Sequence, residues 1–450
     1  MNTGKTDGME KARKRYFAAT PKSRELANIA RDYLPDGVSR TGLVFSHYPP
    51  FIERAEGQFL YDVDGNKILD MANGFSSLPL GHSHPKIIEA IKGQIDKGLG
   101  HGLMSEPELK LASLIKKRIP SMEKLRFTAS GTEATMFAMR VARAFSGKTT
   151  FARMEGSYHG LHDMMCTGMG ANLGQAWPGT ENDPVSNGVP LSAREEVAYL
   201  PYNDLEGCAN VLAEHASDLA AVIVEPFMGA GGGIPPEPGF LAGLRDLCDR
   251  HGALLIFDEM ISIGMSIHGA QGYYNVTPDL TACGKLVGGG MPMGVFGGRA
   301  DLMALCEGAG NAPSVLHTGT WNAHPVAMAA GIAQLEQLTP IQYDYLGEVG
   351  DYLRTSVRAL ASARGVGMQV TGVQHFSAFH YTHDPVRNYR AAQQSDGALA
   401  WRVGFSLLSQ GFHVPGGSRT NLSTAITRAD IDGFVAALDV AFNEGGAVPS

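Results

Sequence analysis

The chain has little that would suit it to a membrane or to a nucleic acid. No stretch approaches the roughly 20 consecutive apolar residues needed to cross a bilayer. The polar amino terminus holds no apolar segment of the kind that directs export. The protein is therefore expected to be neither exported nor membrane-spanning, and to work in the cytoplasm. Positive charge is also in short supply: 37 lysines and arginines against 45 aspartates and glutamates leave a net charge of -8. No basic field exists to hold a nucleic-acid backbone or an anionic lipid surface. The one basic cluster, Lys11, Arg13, Lys14 and Arg15, is short and reads as a solvated helix face. Cysteine is scarce, with only Cys166, Cys208, Cys248, Cys283 and Cys306. Their odd number and scattered spacing support neither a disulfide framework nor a zinc site, and no metal site is expected.

What is present is the composition of a globular protein, 44% hydrophobic and 18% charged over 450 residues. That length exceeds one ordinary core and predicts a large domain with a smaller companion. Residues 1 to about 30 read as a polar helix, and a loop through Pro35 and Gly37 leads to Ser39 and Arg40. Asp-Gly chemistry after the apolar run Phe59-Leu60-Tyr61 signals a hairpin. From about 105 to 330 short apolar runs alternate with helical patterns, the signature of βαβ units around a mostly parallel sheet. Leu219 to Val224 and Ala253 to Phe257 are continuous and β-rich, as strands buried on both faces should be. Each runs into acid, Glu225 after the first and Asp258-Glu259 after the second. Ligands in open α/β sheets lie beyond the carboxyl ends of the strands, so these acids stand where a ligand would. The expected division is 1–60 as amino-terminal arm and part of the small domain, 61–335 as large domain, and 336–450 as the carboxyl-terminal small domain.

The turn Ala129-Ser130-Gly131-Thr132 follows a predicted strand and opens a helix with apolar positions at Ala134, Phe137, Ala138, Val141, Ala142 and Phe145. Ser-Gly-Thr-Glu serves as a plain N-cap in most proteins. The same turn offers unpaired amides and the positive end of a helix dipole to a phosphate. Further on, Lys285 follows Asp258 by 27 residues and precedes Leu286-Val287 and three glycines.

With these residues in view the chain resembles the class III aminotransferases, and within them the glutamate-1-semialdehyde aminomutase branch with its β- and D-amino-acid transaminase relatives. The resemblance runs in order through Asp62-Val63-Asp64-Gly65, Gly81-His82-Ser83-His84-Pro85, Ser130-Gly131-Thr132-Glu133-Ala134, Tyr158-His159-Gly160, Glu225-Pro226, Phe257-Asp258-Glu259, Thr277-Pro278-Asp279-Leu280, Gly284-Lys285 and Gly288-Gly289-Gly290. It implies a fold-type I transferase that uses pyridoxal 5'-phosphate (PLP): an α/β large domain with a mostly parallel sheet flanked by helices, plus a smaller α+β domain. It also assigns roles that the cofactor's chemistry needs. Lys285 would hold the cofactor as a Schiff base and then move a proton. Asp258 would pair with the pyridine nitrogen. Tyr158 would stack on one ring face, and Met260, where the family usually has valine, on the other or simply in the core. Gly131 and Thr132, with Ser130, would hold the phosphate, joined by Thr320 of a neighbouring subunit in a homodimer with shared active sites. Glu225 and His159 match positions near the cofactor, where a satisfied buried polar residue is the plainer reading.

The pattern departs from the family where substrate specificity resides. The usual Asp-Glu-Val-x-Thr-Gly-Phe-Arg becomes Asp258-Glu259-Met260-Ile261-Ser262-Ile263-Gly264-Met265. The aminomutase-like Ser-Trp-Gly-Pro becomes Phe75-Ser76-Ser77-Leu78-Pro79. Arg40 resembles the loop arginine that binds substrate carboxylate in the β-amino-acid transaminases, and Arg419, after two glycines, is a second carboxylate candidate. A surface ion pair is the ordinary reading for Arg40. The expectation is an aminotransferase that moves an amino group from an amino acid, with an unusual amine position or stereochemistry, to a keto acid. Its alternative is glutamate-1-semialdehyde 2,1-aminomutase, which shifts the amine within one molecule. Racemisation, carbon-carbon bond formation and a scaffold without chemistry complete the range.

Overall fold

The computed structural model describes residues 3–43, 47–166, 188–308 and 313–448. The amino-terminal segment forms two helices rather than one, Thr3–Ala19 and Pro21–Ala30. The break falls at Thr20, because Pro21 has no amide to continue the first helix but suits the first turn of the second. Strands β1 (Ile52–Glu56), β2 (Phe59–Asp62) and β3 (Lys67–Asp70) follow. The expected hairpin joins β2 and β3, which pair antiparallel. Asp62 closes its turn by accepting the amides of Asp64 and Asn66.

The large sheet contains β4 (Lys124–Thr128), β5 (Thr150–Met154), β6 (Val197–Leu200), β7 (Leu219–Val224), β8 (Leu254–Asp258), β9 (Leu280–Gly284) and β10 (Gly294–Gly298). Their spatial order is β4-β10-β9-β8-β7-β5-β6. Strands β5 to β9 pair in parallel, and β10 runs against both β4 and β9. Every residue of β7 and β8 is buried, and successive side chains divide between two layers as a period of two requires. Val222, Val224, Leu255 and Phe257 pack with Leu244 and Leu247 of the helix Phe240–His251. Ala221, Ile223 and Ile256 pack with Ala134, Ala138, Val141 and Ala142 of the helix Gly131–Ser146 on the other face. Phe145, expected on that apolar face, is 44% exposed under the Arg299 guanidinium.

The carboxyl-terminal part adds β11 (Gln369–Val373), β12 (Phe376–His380), β13 (Phe412–His413) and β14 (Arg419–Asn421). Strands β11, β12 and β14 form an antiparallel sheet over a core of Leu353, Val357, Phe379, Leu407, Phe434 and Phe442. Strand β13 pairs in parallel with β3, so residues 59–70 share a sheet with the carboxyl-terminal segment and β2 straddles the expected boundary at 60. The first helix docks on the same unit: Arg15 donates to both carboxylate oxygens of Glu444 and to Ser409. No helix among the described residues is long and apolar enough to cross a membrane. All five cysteines are unpaired and buried. No group of three or more His, Cys, Asp or Glu that could hold a metal occurs among the described residues.

Because Ile223 sits in a fully buried central strand, Ile223→Ala should cost about 2–5 kcal/mol through lost transfer energy and the cavity left behind. Chemical denaturation of the cofactor-free protein checks this, and a loss below about 1 kcal/mol would show that the layer collapses to fill the space.

Candidate active site

The parallel strands deliver most of the expected residues to one edge of the sheet. Beyond β4 comes the Ser130 turn, beyond β5 Tyr158 and His159, beyond β7 Glu225, and at the ends of β8 and β9 stand Asp258 and Lys285. Lys285 adopts φ 48 immediately after β9, a left-handed conformation that costs a non-glycine residue about 1–2 kcal/mol. Burial pushes its amine below the ordinary lysine range, opposed by the charges of Asp258 and Glu225. A lowered amine pKa favours the neutral, nucleophilic form.

Asp258 is 2% exposed. One carboxylate oxygen meets His159 Nδ1 at 2.8 Å, and the other accepts the Met260 amide at 3.0 Å. Burial holds His159 below its ordinary range against the pull of Asp258, so the neutral ring donates its Nδ1 proton to the carboxylate. Its Nε2 is buried with no partner among the described residues. Glu225 accepts the amides of Tyr158 at 3.0 Å and Ala230 at 3.1 Å. Burial first, and then Asp258, push its carboxyl up to about 7. Tyr158 is 38% exposed, with its amide fixed on Glu225.

Ser130 caps its helix as the expected N-cap residue, while the Glu133 carboxylate accepts the amide of Ala129. Ser130 Oγ accepts the Glu133 amide at 3.2 Å and faces the Glu133 carboxylate at 3.1 Å, so its hydroxyl is committed. The amides of Gly131 and Thr132 donate to no group among the described residues, as the first turn of a helix leaves them. Thr132 Oγ1 accepts the Leu161 amide at 3.3 Å. Gly160, at φ 93, passes so close that a Cβ there would lie 2.7 Å from Thr132 Cα. Met260 wedges between the turn and the lysine: a Cβ on Gly131 or Gly284 would lie 2.7 or 2.9 Å from its sulfur. Its position is therefore at the site as well as against the core.

Arg419 begins β14 and donates to the Gly229 carbonyl at 3.4 Å. It is near enough to Lys285 to depress the lysine further, and Glu225 acts on it in turn. Arg40 is exposed, with its guanidinium 5.3 Å from the centre of the Phe75 ring. Phe75 belongs to four consecutive left-handed residues, Asn73 to Ser76, at φ 50, 58, 56 and 71. This turn contacts both the Lys285 turn and β14. Asn73 Nδ2 and Ser76 Oγ within it are buried without partners among the described residues. Thr320 lies exposed on the 320–323 turn, and no hydrogen bond joins it to the other site residues within this chain. Sequence reasoning missed Arg153, fully buried below the Tyr158 turn. The signal was available, since an arginine inside the apolar run Thr150-Phe151-Ala152-Arg153-Met154 needs buried partners.

A group with an aldehyde, a ring nitrogen and a phosphate fits these residues. A partly buried amine of lowered pKa stands near a buried oriented carboxylate, and two unpaired amides open a helix at a close approach of Gly160. The family model for class III aminotransferases matches residues 44–409. The chain belongs to the class III aminotransferases. It is an enzyme of that family, its fold is the fold-type I transferase, and its cofactor is PLP. It is 39% identical to a glutamate-1-semialdehyde 2,1-aminomutase of Desulforamulus reducens, over 94% of this chain and 97% of the relative. It superposes on a β-phenylalanine aminotransferase from Variovorax paradoxus with a TM-score of 0.89 at 34% identity, covering 99% of each chain. A glutamate-1-semialdehyde-aminomutase variant from Pseudomonas aeruginosa PAO1 in complex with PMP gives a TM-score of 0.89 at 25% identity over 99% of each chain. The curated names thus favour the intramolecular amine shift that the residues had placed second, while solved transaminases share the fold equally well.

Two consequences can be measured. Glu225 holds a proton in the native state from its usual 4.5 up to about 7. Its contribution to stability is therefore complete below about pH 4.5 and lost as pH rises through about 7. Cofactor-free protein should lose stability across that window, and Glu225→Gln should flatten the slope; equal slopes would remove Glu225 as its cause. Gly160→Ala should drive a methyl into Thr132 and weaken retention of phosphate-bearing cofactor, measured as the dissociation constant of PLP; unchanged affinity would show that the turn moves aside without cost.

Proposed function

We propose that the protein transfers an amino group between two small molecules, taking it from a carboxylate-bearing amino compound and passing it to a keto acid. The observation that carries this reading is the placement of two arginines: Arg419, close enough to Lys285 to act on its charge, and Arg40 over Phe75, whose turn contacts the lysine's own turn. Arginine forks recognise carboxylates in two-point geometry, and two of them suit a site that must accept donor and acceptor acids in turn. The Phe75 turn differs from the aminomutase-like Ser-Trp-Gly-Pro pattern, which supports a donor with its amine outside the usual α-position or of D-configuration.

Bound PLP supplies an electron sink for the charge left when a C–H bond beside an amine breaks. In this reading Lys285 would anchor the cofactor and would move the proton at the substrate carbon beside the amine. Asp258 holds a proton at the pyridine nitrogen, while His159 and the Met260 amide fix its direction. Gly131 and Thr132 bind the phosphate, with Ser130 shaping their turn. Tyr158 and Met260 confine the ring, and Glu225 steadies the Tyr158 backbone. Leu103, Met104, Leu316 and Trp321 are 86%, 68%, 67% and 62% exposed. We assign the covering of these apolar side chains to a second copy, whose Thr320 would complete the phosphate site.

The second reading, glutamate-1-semialdehyde 2,1-aminomutase, is supported by the names of the curated relatives. Visible absorption spectra separate the two. A panel of α-, β-, D- and ω-amino compounds is added without keto acid; one donor should convert the cofactor to its aminated form and a keto acid should reverse it. Consumption of glutamate-1-semialdehyde alone, giving 5-aminolevulinate without an acceptor, would establish the second reading instead. Lys285→Ala should abolish turnover; multiple turnovers in that variant would defeat the lysine's role. Arg40→Ala and Arg419→Ala should each raise KM by about tenfold or more for carboxylated donors and much less for plain amines, as loss of a charged hydrogen bond implies.

A further inference from the structure

Arg153 ends up 0% exposed in the interior of β5, where an apolar side chain would pack without the desolvation cost of a guanidinium. Burial pushes its pKa down to about 10, against the opposing charges of Tyr199, Glu225, Cys166 and Asp258. Its hydrogen bonds explain the placement. Nε and Nη2 donate to Ser157 Oγ at 3.2 and 3.1 Å, Nη2 donates to the Ser157 carbonyl, and Nη1 donates to the Met165 carbonyl at 2.9 Å. Ser157 and Met165 bracket the turn that carries Tyr158 and His159. Between those two anchor points the turn touches the site four times: Tyr158 to Glu225, His159 Nδ1 to Asp258, the His159 carbonyl to Thr135 Oγ1, and the Leu161 amide to Thr132 Oγ1. One planar fork therefore fixes both ends of the segment, and its five donors in rigid geometry are what such a clamp requires.

We propose that Arg153 is the positioning residue of the cofactor site: it clamps the 157–165 turn so that Tyr158 and His159 keep their register to the ring and to Asp258, and its charge offsets Asp258 and Glu225. The inference rests on the assignment of Tyr158, Asp258 and Lys285 to the cofactor. Arg153 is fully buried and bonds to Ser157 and Met165, so its effect passes through the turn.

The test compares parent, Arg153→Met and Arg153→Lys holoenzymes, with circular dichroism and thermal melting as controls of folding. Arg153→Met should lose PLP at least about tenfold faster on dialysis, the scale on which supporting residues act at cofactor and metal sites. It should lower kcat while leaving the donor KM within about twofold, because the substrate wall is untouched. Arg153→Lys keeps the charge without the fork and should fall between the two. If the methionine variant does not fold, the lysine variant decides, and PLP retention equal to the parent's overturns the proposal. Folded Arg153→Met that retains PLP and turns over like the parent also overturns it, as does a change confined to KM. Lys285→Ala separates this failure from failure of the underlying reading: if that variant keeps the covalent cofactor absorbance, the site assignment itself falls.

Discussion

A carboxylate taken out of water must be held by donors, and the two donors on Asp258 organise the centre of this protein. His159 and the Met260 amide each occupy one oxygen, which leaves the group oriented as well as buried. Those contacts need β8 to end at residue 258, β5 to deliver His159 from the neighbouring side, and Met260 to turn back over the strand end. The parallel sheet supplies all three, since its carboxyl ends converge on one edge. The remaining groups follow from that convergence: Lys285 arrives from β9 and Glu225 from β7.

Close contact, more than charge, shapes the start of the Gly131–Ser146 helix. Gly131 and Gly160 approach Met260 and Thr132 at distances no Cβ would allow, so helix start, β5 turn and thioether form one packed unit. The first-turn amides are left free by helix geometry and not by any special device. The site combines a rigid polar centre with a wall made of loops, the division of labour expected when binding residues ride on a scaffold.

Much of this was legible in the chain. The strands β7 and β8 declared themselves as apolar runs because both faces are covered, and the acids at their ends lie at the edge where Lys285 and the Ser130 turn also arrive. Ser130-Gly131-Thr132-Glu133 announced a helix start, and its capping role proved as real as its proximity to the site. Other features depended on contacts distant in sequence. The pairing of β3 with β13, 343 positions apart at Leu69 and Phe412, has no local signature. Arg153 looked like one more strand residue until its partners at 157 and 165 were seen. Phe145 fitted a helical stripe yet lies exposed, since the stripe is wider than the surface that covers it. Thr320 is exposed in a single chain, so its part in a site depends on chemistry that one chain cannot display.

The left-handed turn at Asn73 to Ser76 bears on how such a pocket can change over evolutionary time or in the laboratory. Each non-glycine residue there bears a backbone cost of about 1–2 kcal/mol, which is mildest for asparagine and most severe for a β-branched side chain. Exchanging Phe75 for a branched side chain would thus alter the fold of the wall along with its chemistry, whereas Arg40 sits outside the turn and is free of that backbone constraint. If the proposed carboxylate role of Arg40 holds, selectivity is most readily retuned from the arm, while the turn acts as a template whose shape survives because few residues can follow it.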